Sequence, residues 1–219
     1  MTPPRTETEL LTRAHALAGQ SVAHVATTVG VRIPDDPRHN KGTVGQLVEL
    51  ALGATAKSLS APDFPQLGVE LKTIPIGNNG RPRESTHVCV ANLLPAPGER
   101  FEDSCVFRKL ARVLWLPVEA DPAIVLPDRR FGMATLWSPT DDDWHALMAD
   151  WDEIMEQVRF GHVQSITARH GEVLQLRPKG RSARDLVRAI GPDGTPIATN
   201  PRAFYLRPRF TLQAIHRSI

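Results

Sequence analysis

Lysine is scarce in this chain of 219 residues: only five of its 26 basic residues are lysine, and the other 21 are arginine. Arginine therefore serves wherever a generic positive charge suffices. A position that keeps lysine is a candidate for a role that needs a compact ammonium group or a tunable pKa, which a guanidinium does not supply. The lysines are Lys41, Lys57, Lys72, Lys109 and Lys179.

Cysteine is scarcer still, and long apolar runs are absent. The two cysteines, Cys89 and Cys105, form neither a disulfide framework nor a spacing typical of metal ligands, so we expect a reduced, cytoplasmic protein. No run approaches the roughly 18 apolar residues of a membrane span, and the polar N-terminus lacks the apolar region of a signal peptide. The eight histidines include no H-x-x-x-H pair, which leaves a zinc site with little support.

Charge is unevenly distributed along the chain, although the formal net charge is only +2. Residues 159–219 carry 11 basic and 3 acidic residues, a net of +8, and the remainder carries 15 and 21, a net of −6. Such a basic C-terminal third favours a polyanionic partner such as nucleic acid, although basic tails also occur without one. A hydrophobic content of 41% in 219 residues suits one globular domain, with or without two lobes.

Hydrophobic periodicity and turn residues predict a mixed order of helices and strands. Helices are predicted to begin at Thr6, at Ser21, near Thr43 and at Thr140, and another to run from Ser182 or Asp185 through Ile190. Strands are predicted at 67–76, 86–91, 113–118 and 204–206, with two more between 163 and 177 around a turn at 170–171. This order predicts an α/β or α+β fold with a mixed sheet.

Two acidic groups in this pattern have ordinary structural interpretations. The run Asp141-Asp142-Asp143 lies at a predicted helix start, where acidic side chains complement the helix dipole, so a metal cluster is disfavoured. Glu49 lies within a mostly apolar helix, and an exposed helix charge is one interpretation of it.

The segment PDFPQLGVELKTIPIG, residues 62–77, raises a sharper question because Glu70 and Lys72 interrupt an apolar strand. Residues two apart on a strand leave the same face, whereas Val69 and Leu71 leave the other. With Asp63 upstream, two carboxylates beside a lysine suit a hard cation such as Mg²⁺. The alternative is a Glu–Lys pair on a solvent-facing strand edge. The residues alone leave both interpretations open.

Longer blocks of sequence carry a resemblance to a known family. PD-x6-E-x-K resembles the core of the PD-(D/E)-x-K nuclease superfamily. From about residue 6 to about residue 214 the chain is similar, in order and spacing, to the MutH family of DNA mismatch-repair endonucleases. It is more distantly similar to type II restriction enzymes that cut GATC. The blocks are KGTVGQLVELALGA, DFPQLGVELKTIPI, RKLARVLWLPVE, ITARHGEVLQLRPKG and FYLRPRF.

The resemblance implies roles for individual residues. The implied catalytic triad is Asp63, Glu70 and Lys72. Two further catalytic residues are implied: Glu49 as a carboxylate that faces the metal, and Lys109 as a lysine beside the scissile phosphate. The metal ligands would be Asp63, Glu70 and the carbonyl of Leu71. The implied DNA-binding residues are Lys41 at the backbone, the reading loop Arg177-Pro178-Lys179, Tyr205 as the sensor of adenine methylation, and Arg207. Four of the five lysines thus match functional positions.

The resemblance also implies a fold and a reaction. We expect a single restriction-endonuclease-like domain over residues 1–219, shaped as a clamp with two lobes around a DNA cleft. The N-terminal lobe would carry the catalytic core, and a basic lobe from about residue 159 would contribute site recognition. With one or two Mg²⁺ ions, a monomer would nick the unmethylated strand at hemimethylated GATC sites, leaving a 5′-phosphate and a 3′-hydroxyl. The expected activator is MutL, with MutS upstream, and no membrane is involved.

Two features depart from the family pattern, and two other functions remain open. His87 lies where a bulky aromatic residue is expected, and the C-terminal TLQAIHRSI is a few residues shorter than expected, which weakens the MutL assignment. One alternative is a restriction enzyme that cuts both strands of GATC, but a single D-x6-E-x-K favours a monomeric nickase. The other is a noncatalytic DNA-binding module, which would not require the carboxylates.

Overall fold

The computed structural model describes residues 1–34, 42–56, 61–180, 182 and 184–218. These residues form a mixed α/β fold, which confirms the predicted fold class. The helices are α1 (Glu7–His15), α2 (Val22–Val29), α3 (Thr43–Leu52), α4 (Cys105–Leu110), α5 (Asp141–Arg159) and α6 (Pro208–His216). The strands are β1 (Glu70–Ile76), β2 (Thr86–Val90), β3 (Val113–Glu119), β4 (Thr135–Trp137), β5 (Leu174–Pro178), β6 (Val187–Ile190), β7 (Pro196–Thr199) and β8 (Arg202–Leu206).

The chain divides into two compact units, and each is assembled from segments that are separated in sequence. The first unit contains Met1–Glu84, Ala111–Ser138 and Leu212–Ile219. The second contains Ser85–Leu110 and Pro139–Thr211. No helix within the described residues is long and apolar enough to cross a bilayer.

Capping residues start the first two helices where the sequence predicts. The Thr6 hydroxyl accepts the Glu9 N–H, and the Ser21 hydroxyl accepts the His24 N–H, so each satisfies a donor that the helix leaves unpaired. The third helix begins at Thr43 as predicted but ends at Leu52 and not at the predicted Ala56, because Gly53 adopts a φ of +81°. A Cβ atom there would lie 2.6 Å from the Thr2 carbonyl oxygen, so only glycine fits.

A mixed three-stranded sheet forms the centre of the first unit, in the order β1-β3-β4. Strands β1 and β3 are parallel, with Glu70 opposite Val113 and Lys72 opposite Trp115, and β4 pairs antiparallel with β3. Strand β1 starts later than predicted because the backbones of Phe64 and Val69 bond to each other in a turn.

One face of this sheet packs on the helices of the first unit. Val69, Leu71, Leu114 and Leu116 join a buried apolar cluster with residues of α1, α2 and α3. Burial of each large aliphatic side chain stabilises the fold by about 1.5–3 kcal/mol. Because side chains alternate along β1, Glu70 and Lys72 leave the opposite face, as the sequence predicts.

The second unit contains an antiparallel sheet, in the order β2-β8-β5, and the β6-β7 hairpin. Its longest helix, α5, begins with a reciprocal capping box between Thr140 and Asp143. The run of aspartates thus forms the first turn of a helix, as predicted. The aromatic rings of two residues of α5 also make contacts: Trp144 stacks on Phe107 at 4.6 Å, and Phe101 packs edge-on against Trp144 and Trp151.

Two predicted elements of the second unit are wrong. A hairpin strand, β6, occupies the segment predicted as a helix through Ile190, because it pairs with β7 across a turn at residues 191–195. Of the two strands predicted between 163 and 177, only β5 forms. The chain ahead of it is held instead by the buried Asp150 carboxylate, which accepts the N–H groups of Glu172, Val173 and Leu174.

The expectation of reduced cysteines is also wrong for this structure. Cys89 on β2 and Cys105 at the start of α4 form a disulfide with a Cα–Cα distance of 6.4 Å. The sequence offers no framework that would reveal this pairing. The packing of α4 against β2 brings the two side chains together.

Candidate active site and recognition surface

Glu70 and Lys72 form an ion pair at the start of β1. The Lys72 ammonium donates to Glu70 Oε1 at 2.6 Å, and the two side chains are only 11% and 4% exposed. This burial decides against the solvent-facing strand edge that the sequence left open. A charged pair held so far from water is costly to assemble and therefore marks a candidate site.

Asp63 lies beside this pair because its carboxylate is bonded to β1. Its Oδ2 accepts the Leu71 N–H at 2.9 Å, and its backbone carbonyl accepts the N–H groups of Thr55 and Ala56. The turn before β1 thus brings the Asp63 carboxylate to the residue next to Glu70. The structure therefore unites Asp63, Glu70, Leu71 and Lys72, as the resemblance implied.

The neighbouring strands add two polar groups to the same face of the sheet. Lys72, Trp115 and Thr135 lie side by side in register across β1, β3 and β4. Trp115 Nε1 and Thr135 Oγ1 are buried without a hydrogen-bond partner in the described part of the chain. Sequence reasoning missed both, because Trp115 lies within an apolar run that predicts only core packing.

A second ion pair is attached to the same strand start. The Arg112 carbonyl accepts the Glu70 N–H at 2.9 Å, while the Arg112 guanidinium donates to Glu7 through Nε at 2.9 Å and Nη2 at 2.6 Å. This hydrogen bond from Arg112 lowers the pKa of Glu7 although partial burial opposes it, and the Glu7 carboxylate raises the pKa of Arg112.

The other two predicted catalytic residues lie on helices. Glu49 is half-buried on α3, the helix that packs on β1, and its carbonyl accepts the N–H groups of Gly53 and Ala54. Lys109 lies on α4 of the second unit and is only 8% exposed. The predicted backbone contact Lys41 lies outside the described residues.

The donor chemistry at the start of β1 fits a hard divalent cation. No group of three or more His, Cys, Asp or Glu side chains is placed to bind a metal ion among the described residues. Mg²⁺ does not require such a group, because it is commonly held by one or two carboxylates together with waters and phosphate oxygens. Asp63 and Glu70 supply two carboxylates, and the backbone carbonyl of Leu71, the residue after Glu70, is the third candidate oxygen.

The second unit gathers the predicted recognition residues around Tyr205. Tyr205 lies on β8, opposite His87 of β2 and Gln175 of β5. The His87 ring meets the Tyr205 ring edge-on at 5.3 Å, and the Arg177 guanidinium lies 5.7 Å from the centre of the Tyr205 ring. A cation over an aromatic face is favourable, so the Arg177 and Tyr205 side chains stabilise each other's position.

The predicted reading loop is exposed, and the structure places Arg177 and Pro178 at the end of β5 and Lys179 directly after it. Lys179 Nζ lies 2.5 Å from His87 Nε2, and the Lys179 N–H donates to the Pro201 carbonyl at 2.8 Å. Arg177 Nη1 donates to Ser85 Oγ at 3.4 Å. His87, the departure from the family pattern, thus contacts both the Lys179 ammonium and the Tyr205 ring.

Arg207 is bonded to a backbone turn. Its Nη2 donates to the carbonyls of Ala168 and Gly171 at 2.7 Å, and its Nε donates to Gly171 at 3.1 Å. Gly171 has a φ of +74°, and a Cβ atom there would lie 1.9 Å from the Leu174 carbonyl oxygen. Arg207 and the Asp150 carboxylate therefore hold this turn from its two ends.

Arg202, which the sequence analysis did not single out, is the buried cation of the second unit's sheet. It is 9% exposed, and desolvation by burial lowers its pKa. It lies opposite Pro178 of the reading loop. Only its alternation with Phe204 and Leu206 along β8 could have signalled burial.

Comparison with known proteins identifies the family. The profile of the family described as "DNA mismatch repair enzyme MutH" matches residues 52–150. The chain is 48% identical to the DNA mismatch repair protein MutH of Shewanella oneidensis over 215 residues, which cover 98% of this chain and 96% of the relative. It is 49% identical, with the same coverage, to the proteins of that name from Shewanella baltica strain OS185 and Shewanella sp. strain ANA-3. The chain belongs to the MutH family of DNA mismatch repair enzymes.

Proposed function

We propose that this chain nicks the unmethylated strand of hemimethylated GATC sites in a Mg²⁺-dependent reaction. Membership of the family makes it a DNA endonuclease, a hydrolase that acts in mismatch repair. The observation that carries the finer proposal is the buried Glu70–Lys72 pair with the Asp63 carboxylate one residue away.

The first unit supplies the chemistry in this proposal. Asp63, Glu70 and the Leu71 carbonyl would hold the metal, with Glu49 as a further carboxylate. Bound Mg²⁺ supplies Lewis acidity, lowers the pKa of a coordinated water and orients the phosphate. The number of ions proposed is one or two.

Lys72 acts on the attacking water in this scheme. The Lys72 ammonium donates to Glu70, and ammonium N–H donors of this kind can orient a water or meet a phosphate oxygen. Hydrogen-bond donors that are already in place where negative charge develops in the transition state make a major contribution to catalysis. The proposed products carry a 5′-phosphate and a 3′-hydroxyl. Lys109 is proposed to neutralise the scissile phosphate.

The second unit supplies recognition. The Arg177 guanidinium matches the paired O6 and N7 acceptors of guanine in the major groove, and Pro178 and Lys179 complete the loop. Tyr205 is proposed to sense adenine methylation, and Lys41 and Arg207 to support the DNA backbone. Because Arg207 is already bonded to the turn at 168–171, its support would act through that turn.

The biological setting is part of the same proposal. We infer a cytoplasmic monomer that is activated by MutL, with MutS upstream at the mismatch. The division into a catalytic lobe and a recognition lobe belongs to this proposal as well.

A nicking assay tests the proposal directly. The substrates are supercoiled plasmids or labelled duplexes whose GATC sites are unmethylated, hemimethylated or fully methylated. Each substrate is incubated with Mg²⁺ or with EDTA, and with or without MutL. We expect nicks in the unmethylated strand only, none with EDTA, and faster nicking with MutL. Methylation-independent cutting of both strands would instead identify a restriction enzyme. Binding without any cleavage by the wild type would identify a noncatalytic module.

A further inference from the structure

Gln175 is a buried glutamine on the face of the second unit's sheet that carries Arg177 and Tyr205. Gln175 and Arg177 are two residues apart on β5, so their side chains leave the same face, and Gln175 lies opposite Tyr205 of β8. Gln175 is only 4% exposed. An amide is costly to bury without a hydrogen bond. The hydrogen bond that offsets this cost connects Gln175 to Ser85.

Ser85, the residue before β2, joins the buried amide to Arg177. Its Oγ accepts a hydrogen bond from Gln175 Nε2 at 3.0 Å and another from Arg177 Nη1 at 3.4 Å. A serine hydroxyl oxygen has two acceptor lone pairs, so this one atom can accept both bonds. All three residues belong to the second unit, and the Arg177 side chain is exposed. Ser85 therefore attaches an exposed guanidinium to a buried part of the sheet.

The Arg177 guanidinium is held by two different kinds of contact. Its central carbon lies 5.7 Å from the centre of the Tyr205 ring, and its Nη1 donates to Ser85. The attraction of a cation to a ring depends mainly on its distance from the ring face, whereas a hydrogen bond to one nitrogen atom is directional. The Ser85 bond therefore restricts the orientation that the Tyr205 contact leaves open.

We propose that Ser85, held by Gln175, is a positioning residue that orients the Arg177 guanidinium for contact with guanine. The inference rests on the proposed function, in which Arg177 reads the guanine of GATC. A guanidinium has five N–H donors, so one bond to Ser85 is compatible with two bonds to guanine O6 and N7. A side chain that is ordered before binding loses less entropy on binding, which strengthens a contact that requires this orientation.

The first measurement compares nicking of hemimethylated GATC duplexes that contain guanine or 7-deazaguanine, which lacks the N7 acceptor. The ratio of the two kcat/KM values separates the guanine contact from a general loss of activity. For the wild type we expect about a tenfold preference for guanine, within the range of a two-bonded contact. Arg177→Met should lose this preference, because methionine has no donor for N7.

Substitutions of Ser85 test the positioning role. Ser85→Ala should lower the preference for guanine from about tenfold to about two- to threefold, because Arg177 is present but no longer oriented. Ser85→Thr keeps the hydroxyl and should keep the wild-type preference. The matched control is Ser165→Ala, which removes the hydroxyl of an exposed serine that is bonded to the His162 carbonyl in the same unit. The control should change neither the preference nor the nicking rate.

A double variant separates positioning from stability. Ser85→Ala removes the acceptor of the buried Gln175 amide, so its midpoint of thermal unfolding should fall by several degrees. Ser85→Ala with Gln175→Leu removes both polar groups, which is nearly neutral for stability, so the midpoint should recover. The preference for guanine should stay low in the double variant. Recovery of the preference together with the midpoint would show that Ser85 acts only through folding and would overturn the inference.

The remaining outcomes separate this inference from the proposed function. A wild type that nicks both duplexes at the same rate, or Arg177→Met that keeps the preference, would reject Arg177 as the reader of guanine and this inference with it. Loss of the preference in Arg177→Met but not in Ser85→Ala would overturn this inference alone. The same conclusion holds if Ser85→Ala nicks both duplexes more slowly by an equal factor.

Discussion

Lys72 Nζ lies 2.6 Å from Glu70 Oε1, and the two side chains are almost buried on one face of β1. A buried ion pair contributes little net stability, but removal of one partner leaves an uncompensated charge that costs about 3–5 kcal/mol. The pair is therefore better explained by chemistry than by folding. The Asp63 carboxylate, bonded to the Leu71 N–H between them, reinforces this interpretation.

Substitution of either member should abolish nicking and leave binding intact. Glu70→Ala or Lys72→Ala, and the closer replacements Glu70→Gln and Lys72→Met, are expected to lower the nicking rate at least about 100-fold, the range of lost charge stabilisation. Affinity for a GATC duplex in EDTA should change little. Unchanged nicking in either single variant would reject the assignment.

The same pair can be tested by a double-mutant cycle. Each single variant should lose about 3–5 kcal/mol of unfolding free energy, whereas Glu70→Gln with Lys72→Met should lose clearly less than the sum. Urea unfolding of the four proteins measures this. Strict additivity would show that the two side chains do not interact.

Asp63 has two separable roles. In Asp63→Asn the amide oxygen can still accept the Leu71 N–H, whereas in Asp63→Ala this buried donor loses its partner, which costs about 1–3 kcal/mol. We therefore expect Asn to keep near-normal stability, Ala to lose it, and both to lose nicking because the carboxylate charge is gone. Normal nicking by Asp63→Asn would limit Asp63 to a positioning role.

Tyr205 should govern methylation discrimination. Tyr205→Phe keeps the ring that contacts His87 and Arg177 and removes only the hydroxyl, so the protein should stay folded. We expect the ratio of nicking on hemimethylated to fully methylated duplex to fall in Tyr205→Phe and further in Tyr205→Ala. Discrimination at the wild-type level in both variants would refute this role.

The Glu7–Arg112 pair should give a pH-dependent contribution to stability. Because Arg112 lowers the folded pKa of Glu7 below 4.5, the contribution is present above that value and is lost as the pH falls through the lowered pKa. The raised pKa of Arg112 places its own loss at strongly alkaline pH. Since the pair is partly exposed, Glu7→Gln should cost only about 1 kcal/mol or less near neutral pH.

Urea unfolding between pH 3 and pH 7 measures the difference between wild type and Glu7→Gln. The difference should shrink toward zero at the acidic end. Glu153→Gln, an exposed substitution on α5, is the control and should show no such trend. A difference that stays constant with pH would contradict the ion pair.

Arg207 offers a test of indirect support for DNA binding. Lysine keeps the charge but cannot reproduce the branched bonds to Ala168 and Gly171. Arg207→Lys is therefore expected to lower stability by about 1–3 kcal/mol and to expose the turn to limited proteolysis. Wild-type stability with lost DNA affinity would instead indicate a direct contact.

Local sequence determined several features of this protein on its own. The period of two along β1 puts Glu70 and Lys72 on one face, and capping residues such as Thr6, Ser21 and Thr140 start helices through bonds only three residues long. The blocks of family likeness carried the assignment to the MutH family, which the comparisons confirm.

Only the tertiary structure decided the rest, because it depends on partners far apart in the chain. Pairing with β7 made a strand of the segment ending at Ile190, and the Asp150 carboxylate replaced one predicted strand. The packing of α4 on β2 joined Cys89 to Cys105. Burial of Arg202 likewise follows from its place in a three-stranded sheet. Local propensity and residue spacing do not describe contacts between residues that are far apart in the chain. The sequence therefore showed which residues could act, and the fold decided which of them are buried and which are paired.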